Sequence, residues 1–211
     1  MTLPDRSPVS RERILEAASR VYAMHGFRGA TTRLIATEAG VNEVTLFRTF
    51  GSKGALLEAV LEQHGRSRPV LALPAEPADP LAELTAFVSV QLEHVREMRP
   101  LLMRTMSELD ERPPAHEFAC RGRTLIHDTI TEYIRTLQRH GLAAADVDVD
   151  VAAVMLTATV MSDAMARHFV PDVYPPIDQA AERYVRTFLR VIGAPAAAPA
   201  TGPVSTLTDS R

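Results

Sequence analysis

The sequence predicts an all-α protein of about nine helices. Three observations carry this. Apolar residues recur at the i, i+3, i+4 and i+7 spacing of a helix face almost throughout the chain. Residues that cap helices precede these runs, and glycines or prolines follow them. No segment shows the alternation of a half-buried strand, and there is no repeat and no Gly-rich phosphate loop.

The first helix starts at Ser10, a good N-cap, with Glu12 in its first turn and Ile14, Ala17, Ala18 and Val21 on one face; Gly26 ends it. Thr31 caps a short second helix whose inward residues are Ile35, Ala36 and Ala39. Gly40 supplies a turn, Asn42 caps a third helix through Phe50, and Ser52 caps a fourth through about Gln63. Four helices joined by tight turns predict a compact head over residues 10–63, after a flexible tail at 1–9. Residues 64–79, rich in proline, read as a connector.

Five longer helices are expected beyond it. Pro80 suits the first turn of one running to about Glu97, with Leu84, Phe87, Val88 and Leu92 inward. A second spans about 100–111 and stops before Pro113. A third, about 115–140, has Ile126, Ile130, Tyr133 and Leu137 inward and ends at Gly141. A fourth covers about 147–168, and a fifth about 177–192 with Ile177, Ala181, Tyr184, Phe188 and Ile192 inward. Residues 80–193 thus form a helical body, and 194–211, lacking any hydrophobic period, read as a disordered tail.

Charge divides the chain the same way. Residues 1–68 carry a net charge of +3 and residues 69–211 a net charge of −6, and the single lysine, Lys53, lies in the head. A weakly basic head on an acidic body implies two tasks on one chain. Cys120 is the only cysteine, which forbids an intrachain disulfide and fits a reducing compartment. The N-terminus has no apolar run of the kind a signal peptide needs. The longest apolar stretch, Val151 to Met161, is far shorter than the about 20 residues of a membrane span. The expectation is a soluble, cytoplasmic protein.

Within the head, Thr31 to Phe50 has helix-turn-helix spacing. Ile35, Ala36, Ala39, Val41, Leu46 and Phe50 point inward, and Ala39-Gly40-Val41 makes the turn. The helix begun by Asn42 then presents Glu43, Val44, Thr45, Arg48 and Thr49 outward. Such a helix must protrude from a packed support so that its first residues reach base edges in the major groove, while helix N-termini and basic side chains hold phosphates.

Thr31-Thr32-Arg33-Leu34-Ile35-Ala36, Ala39-Gly40-Val41-Asn42, Thr45-Leu46-Phe47, Phe50 and Ser52-Lys53 resemble the tetracycline-repressor (TetR) family of bacterial transcriptional regulators, over about residues 10–60. The resemblance implies a homodimer with an N-terminal DNA-binding domain and a C-terminal ligand-binding and dimerisation bundle. The last two helices, about 147–168 and 177–192, would pair with those of a second copy. It implies a double-stranded DNA operator as partner and a small-molecule inducer, with no cofactor and no membrane. By the same resemblance Thr31 and Arg33 contact the DNA backbone, Val44 and Thr45 face base edges, and Thr49 and Lys53 reach phosphates, with Asn42, Phe47 and Arg48 on the same surface. Three positions depart from the family pattern. Phe47 stands where Tyr is usual, Leu34 replaces a frequent acid that would complete a capping box with Thr31, and Glu43 would repel phosphate unless it accepts from cytosine N4. Glu43 and Phe47 support a rival reading, a small-molecule-binding bundle whose head binds DNA weakly or not at all.

In the body, Val151, Val154, Met155, Ala158, Ser162, Met165 and Phe169 share one face of the 147–168 helix. That face is apolar and small enough for close helix packing against a second copy. Methionines at Met98, Met103, Met106, Met155 and Met161 could line a cavity for an apolar or amphipathic ligand, with Cys120 and His127 as polar wall residues. His116, Cys120 and His127 lie on one side of a helix, but His127 is more than two turns from Cys120, too far to share one metal ion, so no metal site is expected. Asp146, Asp148 and Asp150 precede or open a helix, where carboxylates complement its dipole. No serine-hydrolase, zinc-protease or dinucleotide-binding motif is present, and an enzyme is not expected.

Overall fold

The computed structural model describes residues 8–66, 71–107 and 113–196, with side chains at 11–64, 71–107 and 123–196. Among them are eight α-helices and one short 3-10 turn, and no strand. Four helices build the head: α1 (Pro8–Gly29), α2 (Thr32–Ala39), α3 (Glu43–Phe50) and α4 (Lys53–Arg66). Gly26 interrupts α1 with φ 68° and ψ 179°, a conformation essentially reserved for glycine, so the break falls where the sequence places it. Ile14, Ala17, Ala18, Val21, Ile35, Ala36, Ala39, Leu46, Leu56 and Leu57 fill the head core.

The body comprises α5 (Pro80–Met106), α6 (Pro113–Arg139), α7 (Val149–Ala166), the 3-10 turn at Pro171–Val173, and α8 (Ile177–Val191). Leu84, Phe87, Val88, Leu92, Ile126, Ile130, Tyr133, Leu137, Leu156, Val160, Val185 and Phe188 are among its core residues. The start of α5 is clamped. Asp79 Oδ1 accepts from the Ala82 N–H at 3.1 Å, and Glu83 Oε1 accepts from the N–H groups of Ala78 and Asp79 at 2.8 and 2.9 Å. The other Glu83 oxygen takes the Tyr133 hydroxyl of α6. Burial first, and then this bond and the Glu83 charge, push the Tyr133 phenol well above its ordinary pKa, so it stays a donor.

Three expectations need correction. The helices expected at 80–97 and 100–111 are one continuous helix, α5, with Pro100 inside it. An interior proline costs about 3 kcal/mol. Beyond it Leu101 is buried in the head core, worth about 2 kcal/mol. The Thr105 hydroxyl donates to the Leu101 carbonyl at 2.7 Å, and Met98 packs against the same core, so tertiary packing offsets the cost. Ile177 does not point inward: it is 64% exposed, because α8 turns Ala180, Ala181, Val185, Phe188 and Leu189 to the core instead. Ala194 is not tail. It is buried, its N–H donates to the Leu189 carbonyl at 2.8 Å, and Arg186 holds the Ala196 carbonyl at 2.7 Å. Residues 1–7 and 197–211 lie outside the described residues.

Helix α7 is apolar all round, long enough by length and composition to cross a bilayer. Its inner face nevertheless packs on α5 and α6 and contains a fully buried acid, Asp163. Asp163 Oδ1 accepts from Arg96 Nη2 of α5 at 2.7 Å and from Arg167 Nε at 2.8 Å; Oδ2 accepts from Tyr184 of α8 at 2.6 Å and from Arg167 Nη2. Burial pushes this carboxyl up, but the bonds from Arg167, Arg96 and Tyr184, with the Arg96 charge, outweigh it and hold the pKa at about 2. One side chain thereby joins α5, α7 and α8.

The sign of the linkage follows. A carboxyl held below its unfolded value of 3.8 contributes stability that is complete above that pH and is lost as pH falls toward about 2, amounting to roughly 2 kcal/mol. Urea unfolding of Asp163→Asn should show a loss of about 3 kcal/mol at pH 7, because two arginines lose their counter-charge. The gap to the parent chain should narrow between pH 4 and pH 2. An unchanged gap across that window would show that Asp163 does not carry the linkage.

Candidate nucleic-acid interface

The exposed surface of α2 and α3 is built by local rules. Thr31 adopts an extended backbone and its Oγ1 accepts from the Leu34 N–H at 3.2 Å, so the cap forms although Leu34 offers no acid in return. At the other end Gly40 is left-handed, with φ 64°. Its N–H donates to the Thr37 carbonyl at 3.1 Å, while the Val41 N–H donates to Ala36 at 3.0 Å, the paired bonds of a Schellman cap. Arg13 of α1 closes over this turn, donating from Nη2 to the Ala39 carbonyl at 2.9 Å. The positive φ favours glycine here, and a Cβ on Gly40 would sit 3.0 Å from that same Nη2, pressing on the Arg13 guanidinium.

Asn42 then caps α3, its Oδ1 accepting from the Val44 N–H at 2.8 Å. Of the eight residues of α3 only Leu46 is fully buried, so the helix stands on one anchor and shows the rest of its surface. Val44 is 71% exposed and Phe47 45%, with Arg48 and Thr49 also exposed and Thr45 half-buried. The Thr49 hydroxyl donates to the Thr45 carbonyl at 2.8 Å, which leaves its oxygen available as an acceptor.

Glu43 is not aimed freely at solvent. One carboxylate oxygen accepts from the Thr32 hydroxyl, tying the first turn of α3 to the first turn of α2. This bond gathers Thr31 and Arg33 at the start of α2 with Val44 and Thr45 at the start of α3. The acid that the sequence sets against phosphate is thus engaged within the head. The pairing was missed because Thr32 and Glu43 lie eleven residues apart on different helices. The signal available was that each is the first residue of its helix.

Arg33 and Arg48 are exposed and have no acidic partner among the described residues. Lys53 opens α4, whose first turn is capped by Ser52 Oγ accepting from Ala55 at 3.1 Å. Its Nζ donates to the Phe27 carbonyl at 2.8 Å and lies 4.4 Å above the Phe27 ring, bracing the end of α1 against α4. An ammonium has three N–H donors, so the brace leaves two for an anion. Arg11 lies over Phe50 at 5.2 Å.

The residues expected to line a ligand cavity are not brought together. Met98 packs on the head core, because α5 carries it out of the body; Met103 and Met106 are exposed near the end of α5, and Met155 is exposed on the outer face of α7. His127 is half-buried on α6, and the side chains of His116 and Cys120 lie outside those described. Among the described residues no group of three His, Cys, Asp or Glu side chains could hold a metal ion. Asp148 caps α7, accepting from Val151 at 3.1 Å, and Asp150 pairs with Arg135 at 3.4 Å, so both have structural partners.

Residues 14–60 match the model of the tetR family of bacterial regulatory proteins. The chain is 44% identical over 59 residues to the uncharacterized HTH-type transcriptional regulator YvkB of Bacillus subtilis, covering 28% of this chain and 31% of that protein, so it spans about a third of that relative's length. It is 28% identical over 149 residues to the HTH-type transcriptional regulator UidR of Escherichia coli, covering 69% of this chain and 73% of the relative. A Saccharomonospora viridis protein assigned to transcriptional regulation, crystallised with choline, shares the fold with a TM-score of 0.67 at 23% identity, over 85% of this chain and 95% of that one. The match covers the capped turn and protruding α3 just described: residues 14–60 are similar to the DNA-binding head of the tetR family of bacterial regulatory proteins, and the body shares its fold with solved transcriptional regulators.

Proposed function

We propose that this chain is a ligand-responsive, DNA-binding transcriptional regulator that acts as a homodimer, represses from a pseudo-palindromic operator and leaves it when a small molecule binds the body. The observation that carries the reading is α3: one buried anchor, a capped start, and Val44, Thr45 and Arg48 displayed beyond the head core. Val44 supplies an apolar contact for a thymine methyl, and Thr45 a methyl or a hydroxyl for a base edge. Arg33, Thr31 and the two remaining Lys53 donors face the phosphates, with the positive ends of α2 and α4 beside them, and Thr49 joins them when its hydroxyl turns from the Thr45 carbonyl to donate outward. The choline held by the Saccharomonospora fold relative supports a body that accepts small molecules.

The second copy docks on α7 and α8. Val151, Val154 and Met155 are 48 to 55% exposed, Ala158 and Ser162 continue the stripe, and Ile177 and Val191 extend it on α8 at 64 and 54%. An exposed apolar stripe opposite a packed core face is what a four-helix isologous interface needs. Two heads so joined would address half-sites about one helical turn of DNA apart, near 34–36 Å.

Operator selection from random duplexes should return a pseudo-palindrome. On it, Arg33→Ala should weaken specific and random DNA alike and reduce the salt slope by about 1, whereas Thr45→Val should shift base preference with little change on random DNA. Equal losses on both duplexes for both variants would overturn the division of roles. Light scattering at micromolar concentration should give twice the chain mass of 23.1 kDa, and Val154→Glu should give the single mass with helicity retained and operator affinity lost. A monomeric parent chain would rule out the paired-head mechanism.

A further inference from the structure

The cluster around Asp163 holds more positive than negative charge. Two guanidiniums, Arg96 and Arg167, meet one carboxylate, and an excess charge at a largely enclosed site is costly unless something compensates it. The two arginines are not equivalent. Arg167 places Nε and Nη2 on Asp163, gives Nη1 to the Pro175 carbonyl at 2.6 Å, and lies 5.2 Å over the Tyr174 ring. Arg96 commits Nη2 to Asp163, while its Nε–H is buried and has no acceptor among the described residues. Asp163 is fully enclosed, but a quarter of the Arg96 side chain is open. The unspent charge and the unspent donor both belong to Arg96, whose Nε is buried while another part of its side chain is open.

Its position on α5 gives that group leverage. Val95 is in the body core and Leu102 packs against it, whereas Met98 and Leu101 pack in the head core, so this stretch of α5 faces both cores. Pro100, having no N–H, leaves the Arg96 carbonyl without its helical donor. Arg96 therefore sits on the stretch of α5 that both cores share, at the break in the helix's own hydrogen-bond ladder.

We propose that Arg96 is the recognition residue for an organic carboxylate, and that this anion is the effector of the regulator proposed above. The inference rests on that reading. A guanidinium fork matches the two oxygens of a carboxylate, which offers acceptors only and a full negative charge. A cation would meet two arginines, and a neutral amide would leave the surplus charge uncompensated. A carboxylate on Arg96 competes with Asp163 for the same guanidinium. Binding thus re-weights the tie between α5 and α7 at the level where α5 enters the head, and operator affinity falls in proportion to the difference in anion affinity between the two arrangements.

The test uses the full chain labelled with 15N-arginine, the Arg96 Nε–H resonance being assigned by its loss in Arg96→Lys. Acetate, benzoate and decanoate are titrated against their neutral amides and inorganic phosphate at matched ionic strength. At least one carboxylate should move the Arg96 signal saturably, its amide should not, and the same carboxylate should weaken operator binding about tenfold at saturation, a change of about 1.4 kcal/mol. Arg96→Lys should bind that carboxylate about tenfold more weakly, and the carboxylate concentration that half-releases the operator should rise by the same factor. No saturable shift with any carboxylate, an equal shift with the amide, stronger binding of phosphate than of every carboxylate, or a shift without operator release would overturn the proposal. Operator binding without any anion tests the regulator reading separately. A chain that binds its operator but ignores every carboxylate refutes only the effector assignment.

Discussion

Helix α5 is the constraint on which the rest of the molecule depends. Its 27 residues make a rod of about 40 Å that belongs to two cores at once. Leu84, Val88, Leu92 and Val95 hold it in the body, with Leu102 packed there too, and Leu101 anchors it in the head. Arg104 adds a direct strut, donating to the Met24 carbonyl of α1 at 3.1 Å. The head therefore cannot change its angle to the body without moving a helix that the body core grips. For the paired heads proposed above, this makes packing inside the body a determinant of DNA geometry.

Buried charge decides how firmly that rod is held. An acid on the core face of a helix rich in Ala, Val and Met would be expected to destabilise it. Asp163 avoids the penalty because Arg96, Arg167 and Tyr184 converge on its two oxygens from α5, from its own next turn and from α8. The same arrangement that satisfies Asp163 leaves Arg96 with donors to spare. Stability of the α5–α7–α8 contact and capacity to accept an anion are thus two aspects of one cluster.

The head was legible in the sequence because every signal it uses is local. Thr31, Asn42 and Ser52 cap the helices that follow them, Gly26 and Gly40 take backbone conformations that other residues avoid, and the inward set Ile35, Ala36, Ala39 and Leu46 follows from helical period alone. The body was legible in part. Period placed α6, α7 and α8 and pointed to a stripe on α7 that remains exposed in the single chain. The same reading divided α5 at Pro100, since the local rule for proline cannot weigh the burial of Leu101 on the far side. Grouping methionines by composition failed for a related reason: a continuous α5 delivers Met98 to the head and leaves Met103 and Met106 outside.

Local chemistry, then, was enough to specify the order of the helices apart from the division of α5, the capped turn and the residues displayed by α3, because caps, glycines and periodicity act over three or four residues. Which side chains of different helices meet is a matter of packing across long separations. Arg96 and Asp163 are 67 residues apart, and Thr32 and Glu43 are joined only because two short helices cross. No periodicity encodes such pairings. They exist because burial removes water as a competing partner, leaving each charged or hydroxyl group to find its counterpart on whichever helix the core has brought beside it.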